Sequence, residues 1–370
     1  MKIICAKEKL ITAINVVSKA VSNRTTLPIL KCIMLTSVDT NLKLIANDME
    51  LGIETYIDCS SVESTGSIAL EAKLFSEIVR SLPDEEVSIK IDNSNVCTIK
   101  SGRSEFKLMG ESTEDFPILP LIEKQTCYAV SSDKFKNMIK HTSFAVALEE
   151  TRPAFTGELF EIKDKFLSLV AVDGFRMAIR TIKFDNSDPD IKDISVIIPA
   201  KTLNEISKIL PDDSEVKIYF TDSQALFEID NTVVVSRLLT GEFIKYEQAF
   251  SGDTTINANL NRYELLSCLE RAFLMSRNSG KKNPISIFLE GYILTIVSQT
   301  ETGIFNEEIL ISNECDQLEI SFNPKYLIDI LKAIESDEII LRFSTSLSPC
   351  IVVGEDSTQY KYLALPLKLK

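Results

Sequence analysis

Few residues of this chain have the types and spacing that enzyme chemistry requires. His141 is the single histidine, and a catalytic triad or metal site would need partners that the sequence does not place around it. The eight cysteines form no Cys-x-x-Cys pair, which indicates scattered reduced thiols. No phosphate-binding loop, nucleophile elbow or zinc-protease motif occurs. These absences are weak evidence alone, but together with the threefold repetition described below they favour a binding protein without cofactor or metal over an enzyme.

The spacing of the basic residues does indicate a chemistry, which is weak binding of phosphate. A short amphipathic helix, an acidic turn and a β-branched strand occur three times, at Ala72–Ile89, Ala200–Ile218 and Pro324–Leu341. Each copy carries two cations seven residues apart, so both lie on one helix face. These pairs are Lys73 and Arg80, Lys201 and Lys208, and Lys325 and Lys332. Three helices are therefore predicted to present positive charge to one shared ligand.

Neighbouring charges modify this basic face. Lys140, on a second type of helix, and Arg277, just after another helix of that type, extend it. Carboxylates four residues after each repeated lysine, at Glu77, Glu205 and Asp329, are predicted to neutralise part of it through i,i+4 pairs. The expected attraction to phosphate is therefore weak and independent of base sequence. Weak contact of this kind suits a protein that moves along DNA.

The composition is that of an ordinary globular protein. The chain has 370 residues, of which 45% are hydrophobic and 25% charged. Its net charge of −14 argues against a nucleic-acid partner when taken alone. Solvated charges beyond about 8 Å are largely screened at physiological salt, however, so a local basic face is compatible with an acidic exterior. The sequence has no membrane-spanning run and no signal-peptide core, and a cytoplasmic location is expected.

The repeats also predict the domain organisation. Their spacing of roughly 125 residues indicates three domains, at 1–124, 125–252 and 253–370. Each domain has the pattern β-α-β-β-β written twice, which predicts an α+β fold with two amphipathic helices packed on antiparallel sheets. In the third domain the segments ISIFLEG, YILTIVSQ and GIFNEEILI are predicted as separate strands. The second helix type is predicted at Glu8–Ala20, Asp133–Ala147 and Arg262–Ser276.

One segment departs from the repeat pattern. Asp173 and Gly174 predict a tight turn, after which two large apolar residues flank an arginine in the order Phe175, Arg176, Met177. This segment is either a local packing cluster or an exposed apolar patch with an arginine rim that receives a partner. The C-terminal tail is also unusually apolar, with Leu363, Leu365, Pro366 and Leu367.

Six segments give the chain a specific resemblance. They are RTTLPIL (24–30), SGRSEF (101–106), DFP (115–117), VAVDGFRMA (170–178), FNPKYLIDIL (322–331) and YLALPLKL (362–369). In these segments the chain resembles the bacterial DNA sliding clamp, the β subunit of DNA polymerase III holoenzyme. The resemblance implies a non-catalytic processivity factor, a head-to-tail homodimer that closes a ring around double-stranded DNA. It also implies as partners the replicative polymerase, the clamp loader and other proteins with linear peptide motifs.

The resemblance further implies individual site residues. Arg24 and Lys73 match DNA contacts of the family, and the subunit contact matches Phe106 and Leu108 facing Leu274 and Met275. Ile244 stands where the family often has proline, and Gln248 where it can have arginine, so the preferred peptide is left open. The implied peptide-binding cleft comprises Phe155, Val172, Gly174, Phe175, Arg176, Met177, Ile244, Gln248, Leu363, Leu365, Pro366 and Leu367.

Two other interpretations compete with a ring. The first is a monomeric scaffold that binds linear peptides through the Phe175 patch and never encloses DNA. The second is an enzyme of unknown class, against which the missing catalytic arrangements argue. Sedimentation of the Leu274→Asp variant separates the ring from the scaffold, since only a ring predicts that a dimer becomes a monomer.

Overall fold

The computed structural model describes residues 1–22, 25–120, 122–149, 152–184, 192–277, 284–301, 303–354 and 359–367. Within this part of the chain lie six α-helices, two for each sequence repeat. They are α1 (Lys7–Val17), α2 (Ala72–Ser81), α3 (Ser132–Thr142), α4 (Ala200–Ile209), α5 (Arg262–Arg277) and α6 (Pro324–Ala333). None of the helices of the described residues combines the length and apolar character needed to cross a membrane.

The described chain separates into two compact units, which are considered one at a time. Unit 1 comprises residues 1–133 and 205–238, and its strands form one sheet. The hydrogen-bonded order is β8-β7-β6-β1-β4-β16-β15-β14-β9, and β2, β3 and β5 branch from it. Every pairing is antiparallel. These strands are β1 (Lys2–Ala6), β2 (Cys32–Val38), β3 (Asn41–Asn47), β4 (Leu51–Ser64), β5 (Ser67–Glu71), β6 (Glu86–Ile91), β7 (Val96–Ser101), β8 (Ser104–Met109), β9 (Tyr128–Ser131), β14 (Glu215–Phe220), β15 (Gln224–Ile229) and β16 (Thr232–Arg237).

Unit 2 comprises residues 134–204 and 239–370 and contains two sheets. The larger has the order β13-β10-β11-β12-β22-β21-β20-β17, and the smaller pairs β18 with β19. All of these pairings are antiparallel as well. The strands are β10 (Gly157–Lys163), β11 (Phe166–Val172), β12 (Arg176–Lys183), β13 (Ile194–Pro199), β17 (Ile256–Asn261), β18 (Ile285–Thr300), β19 (Gly303–Phe322), β20 (Glu338–Phe343), β21 (Cys350–Gly354) and β22 (Tyr360–Ala364).

The element order confirms the threefold α+β repeat and corrects one detail of it. The first two copies follow the predicted β-α-β-β-β doublet. In the third copy the two predicted strands ISIFLEG and YILTIVSQ are one continuous strand, β18. Gly291 absorbs the irregularity, since its φ of +60° lies in the left-handed region and the pairing register shifts on both sides of it. A bulge within one strand therefore replaces the predicted break between two strands.

The repeated helices bury the apolar face that their spacing predicts. On α2 the side chains of Phe75 and Val79 are fully buried, and Leu203 and Ile206 on α4 are too. Side-chain caps begin two of these helices: Glu71 accepts hydrogen bonds from the Lys73 and Leu74 amides, and Asn323 accepts one from the Lys325 amide. Because the apolar face points inward, the repeated cations lie on the opposite, exposed side.

Two of the opening helices are shorter than predicted. α1 ends at Val17 and α3 at Thr142, and a 3-10 turn follows each of them. The hydroxyl group of Thr142, the last residue of α3, donates to the Met138 carbonyl four residues earlier at 2.9 Å and also contacts the carboxyl group of Glu158 on β10. A side-chain hydroxyl bonded to a carbonyl of the preceding turn offers the backbone an alternative to the helical ladder, which accounts for the early end of α3.

Candidate nucleic-acid and peptide interfaces

A concave surface of unit 1 lies against α1 and α2. It has a volume of about 890 Å³. Its lining includes two carboxylates, Glu71 and Glu77, but five cations. These cations are Lys19, Lys31, Lys73, Arg80 and Lys208. A local excess of positive charge therefore exists in a chain whose net charge is −14, and its form suits a phosphate backbone rather than a small apolar ligand.

Individual cations of this concavity are available to a ligand. Lys73 is exposed and makes no ion pair with any described residue. Arg80 donates a hydrogen bond of 2.6 Å to the side-chain oxygen of Asn15, which orients its guanidinium without neutralising it. Lys208 pairs with Glu205 at 2.7 Å on the surface, a contact worth at most about 1 kcal/mol.

The predicted pairing of the repeated lysines with carboxylates four residues later is wrong for two of the three lysines, Lys73 and Lys325. Within the described residues neither Lys73 nor Lys325 forms an ion pair with Glu77 or Asp329. Asp329 instead binds Arg176, at 2.6 Å. Asp329 prefers the arginine because a guanidinium presents paired donors at a partly buried site, whereas Lys325 is exposed to water.

The other predicted DNA contacts have different surroundings. Lys140 pairs with Glu335 at 3.1 Å and Lys332 with Glu270 at 2.7 Å, all at exposed positions. Lys201 is exposed on α4. Arg277 is the last residue of α5, and its side chain lies outside the described set, as does the whole of Arg24.

Four of the predicted cleft residues pack together in unit 2. Phe155, Val172, Met177 and Leu363 are each at most 6% exposed and belong to one apolar cluster. The strand register brings them together, since Met177 lies opposite Val172 on one side and opposite Leu363 on the other. Side chains on neighbouring antiparallel strands point to the same face of the sheet. This face forms the floor of the predicted cleft.

The turn at one edge of this floor is held by its own aspartate. Asp173 accepts hydrogen bonds from the amides of Phe175 and Arg176, at 2.9 and 3.0 Å. Gly174 adopts a φ of +88°, and a Cβ atom added there would meet nothing within 4 Å. Backbone conformation alone therefore favours glycine here, as the predicted Asp-Gly turn implies.

Arg176 occupies a different place from the predicted rim. It is only 9% exposed. Its guanidinium contacts Asp173 at 3.0 Å and Asp329 at 2.6 Å, and donates to the carbonyl oxygen of Phe144 at 2.6 Å. The rings of Phe144 and Tyr326 lie on it, with centroids at 5.4 and 5.0 Å. Arg176 is thus a structural cross-link beneath the cleft, since two carboxylates already balance its charge.

The exposed edge of the cleft is formed by other residues. Phe175 is 53% exposed and stacks on Tyr326 at 6.1 Å. Its carbonyl oxygen accepts a hydrogen bond from the Leu365 amide at 2.8 Å, and the Leu367 amide donates to Ser321 at 2.8 Å. The tail containing Pro366 is therefore bound beside the patch through Phe175 and Ser321. Met177 belongs to the packing cluster that the first interpretation predicted, whereas Phe175 is exposed without the predicted arginine rim.

The connector before the third domain forms a further side of the cluster. Ile244 and Gln248 are exposed and do not join the buried cluster. Phe243, Tyr246 and Phe250 pack against it instead, and Phe243 meets Phe155 at 6.0 Å between ring centroids. Sequence reasoning missed Tyr246, Tyr326 and Asp329 as cleft neighbours. An available signal was Tyr326, the only aromatic residue at its position among the three helix copies.

The predicted subunit contacts lie on strand and helix surfaces with exposed apolar groups. Phe106 and Leu108 share one face of β8, which is the terminal strand of its sheet and pairs on one side only among the described residues. Leu274 is 61% exposed on α5 and Met275 is half-buried. Ile304 and Leu310 on β19 are also exposed. An unpaired edge and an apolar surface of this kind are typical of protein interfaces.

The single histidine and several of the cysteines, which are the residues that could support catalysis, are buried in the protein interior. His141 is buried and stacks on Tyr360 at 6.1 Å, and burial lowers the pKa of its imidazole. Burial also raises the pKa of the thiols of Cys5 and Cys97 to about 12, which leaves them protonated and unreactive. Among the described residues no three His, Cys, Asp or Glu side chains are grouped as a metal site would require.

Comparison with known proteins identifies the family. The DNA polymerase III beta subunit matches by its N-terminal domain over residues 1–120, its central domain over 129–245 and its C-terminal domain over 247–368. Proteins named Beta sliding clamp from Halalkalibacterium halodurans and Bacillus subtilis are 35% and 34% identical, each with 100% of both chains covered.

Solved structures agree with this assignment over the whole length. The DNA polymerase sliding clamp from Bacillus subtilis has a TM-score of 0.96 at 34% identity, with both chains fully covered. A DNA polymerase III beta subunit from Eubacterium rectale has a TM-score of 0.94 at 40% identity, again with full coverage. The chain therefore belongs to the DNA polymerase III beta subunit family, the sliding clamps that act as non-catalytic processivity factors in DNA replication.

Proposed function

We propose that two copies of this chain close a ring around double-stranded DNA and hold a replicative polymerase on its template. The observation that carries the proposal is the concavity of unit 1. Its lining contains five cations and two carboxylates, although the chain as a whole is acidic. Lysine and arginine side chains on such a surface attract phosphate groups, and attraction to phosphate does not depend on base identity. Retention on DNA then depends on ring topology, and the weak contact permits sliding.

Each subunit contributes three domains in this proposal, at 1–124, 125–252 and 253–370. The cations that would face the DNA are Lys73, Arg80, Lys140, Lys201, Lys208, Lys325 and Lys332, together with Arg24 and Arg277. Phe106 and Leu108 on one subunit would contact Leu274 and Met275 on the other, supported by the terminal position of β8 in its sheet and the exposed Leu274. A head-to-tail contact ends at two subunits only if the rotation closes a ring.

The cleft of unit 2 would receive linear peptides from the polymerase, the clamp loader and other partners. Its floor at Val172, Met177 and Leu363 is apolar, and the exposed Phe175 forms its edge. An aliphatic or aromatic peptide residue would bury its surface there. Because Arg176 is already neutralised by two carboxylates, it contributes by supporting the floor and not by attracting acidic peptides.

Retention on circular DNA tests the ring. Protein loaded onto nicked circular DNA by a clamp loader should remain bound in 0.5 M salt and dissociate when the circle is cut, because only topology holds it. Leu274→Asp, at an exposed position, should give a folded monomer that is never retained. Equal salt sensitivity on circular and linear DNA would refute the ring and favour the non-encircling peptide scaffold.

A further inference from the structure

The turn of the cleft has a structural counterpart in unit 1. Asp48 accepts hydrogen bonds from the amides of Glu50 and Leu51, at 3.1 and 2.8 Å, and its own amide donates to the Leu51 carbonyl at 3.0 Å. Asp173 makes the same three contacts in the cleft. Met49 has a φ of +78°, a left-handed conformation that is costly for a residue other than glycine. The fold therefore imposes the cleft turn at a second place.

The neighbouring strand is also equivalent. The Arg237 amide donates to the Glu50 carbonyl at 2.9 Å, as the Leu365 amide donates to the Phe175 carbonyl at 2.8 Å. The strand registers agree, since β16 pairs with β4 as β22 pairs with β12. The matched positions are Glu50 and Phe175, Gly52 and Met177, Val235 and Leu363, and Arg237 and Leu365.

The counterpart surface encloses a cavity of about 220 Å³, but its floor is partly filled by the chain itself. A Cβ atom added to Gly52 would lie 2.0 Å from Cδ2 of Leu119. Leu119 therefore occupies space next to the position that carries Met177 in the cleft. The Asn47 side chain donates to the Pro117 carbonyl at 3.1 Å and fixes this connector. An incoming ligand would thus bind above Leu119 and not beneath it.

The rim of this cavity differs from the cleft in charge. Ile118 is 78% exposed and Met49 is 46% exposed, so an apolar surface remains. Glu50 and Arg237, both exposed, stand where the cleft has Phe175 and Leu365. Neither charge forms an ion pair with a described side chain. Arg237 lies opposite Glu50 across the strand pair, so a ligand here meets a positive and a negative group side by side, next to the exposed apolar side chains of Met49 and Ile118.

We propose that this cavity is a second docking site for linear peptides, with a specificity different from that of the cleft. An aliphatic side chain contacts Met49 and Ile118, an acidic residue reaches Arg237, and a basic residue reaches Glu50. Opposite charges at the rim select for a ligand with both signs. The inference rests on the proposed function, because the peptide-binding cleft is its template.

Calorimetry on the full-length chain tests this site with the cleft disabled. The exposed Leu365 is changed to Asp, and two capped peptides are titrated at low salt, with the cores Glu-Leu-Leu-Lys and Gln-Leu-Leu-Gln. The charged peptide should bind at one site per chain and about fivefold more tightly than the neutral one, the size expected for two exposed ion pairs. Ile118→Glu, at an exposed position, should abolish this binding without lowering the thermal midpoint.

Charge reversal provides the control. The double variant Glu50→Lys with Arg237→Glu should transfer the preference to a Lys-Leu-Leu-Glu peptide. Absence of binding in the Leu365→Asp background at millimolar peptide, or binding unaffected by the charge reversal, would overturn the second site while leaving the cleft intact. Failure of a purely apolar peptide to bind the unmodified chain would instead overturn the proposed cleft.

Discussion

Glu158 provides the sharpest test of how unit 2 is held together. It is fully buried on β10, and no described cation pairs with it. Its carboxyl oxygens contact the hydroxyl groups of Thr142 and Ser143, the latter at 2.5 Å. The Thr142 hydroxyl also donates to the Met138 carbonyl at 2.9 Å. With only one hydrogen available, Thr142 satisfies both contacts best when Glu158 is protonated and donates to it.

Burial raises the pKa of Glu158 to about 7, from an ordinary value of 4.5. The folded chain therefore keeps a proton that the unfolded chain releases between these two pH values. Stability falls as pH rises from 4.5 through 7 and is constant above that range. A shift of this size corresponds to about 3 kcal/mol in the free energy of unfolding above pH 7.

Replacing Glu158 by Gln removes the ionisation while preserving the shape and hydrogen-bonding capacity of the side chain. We expect Glu158→Gln to change stability little at pH 4.5 and to stabilise the fold by about 2–3 kcal/mol at pH 8, where the carboxyl group must otherwise ionise in place. Urea denaturation at pH 4.5, 6 and 8, monitored by circular dichroism, measures this difference.

A matched substitution isolates the effect of burial. Glu114 is exposed, and Glu114→Gln should show no pH-dependent difference from the unmodified chain. His141 is present in every variant, so its own titration cancels from the comparison. If Glu158→Gln destabilised the chain at pH 8 as much as at pH 4.5, the inference of a protonated buried carboxyl group would be wrong.

Three further substitutions test separate contacts. Gly174→Ala should destabilise the chain by about 1 kcal/mol in thermal unfolding, because alanine is costly in the left-handed backbone conformation at this position. Gly252→Ala should be neutral, because an added Cβ atom meets no neighbour there either and the backbone has no positive φ. Asp329→Asn should cost about 2 kcal/mol and weaken peptide binding in the cleft, while the equivalent change Glu77→Gln on α2 should alter neither. Lys73→Gln should reduce by about one the slope of log affinity for DNA against log salt, and an unchanged slope would exclude this lysine from the contact.

The repeated architecture could be predicted from the amino-acid pattern, and so could the local features of the candidate sites. Helical spacing identified the buried face of α2, including Phe75 and Val79, because apolar periodicity directly reflects which side is removed from water. The Asp173–Gly174 turn could be predicted for a similar reason, since its hydrogen bonds join residues two and three positions apart. Such features depend on neighbours in the chain.

Which distant groups meet could be seen only in the folded chain. Asp329 binds Arg176 and not Lys325 because folding brings a guanidinium to it from 153 residues away. Glu158 loses its solvent because β10 packs beneath the end of α3, and Leu119 fills the space beside Gly52 because the connector folds back over β4. Local periodicity contains no information on these partners, since burial and ion pairing depend on the three-dimensional environment of each group.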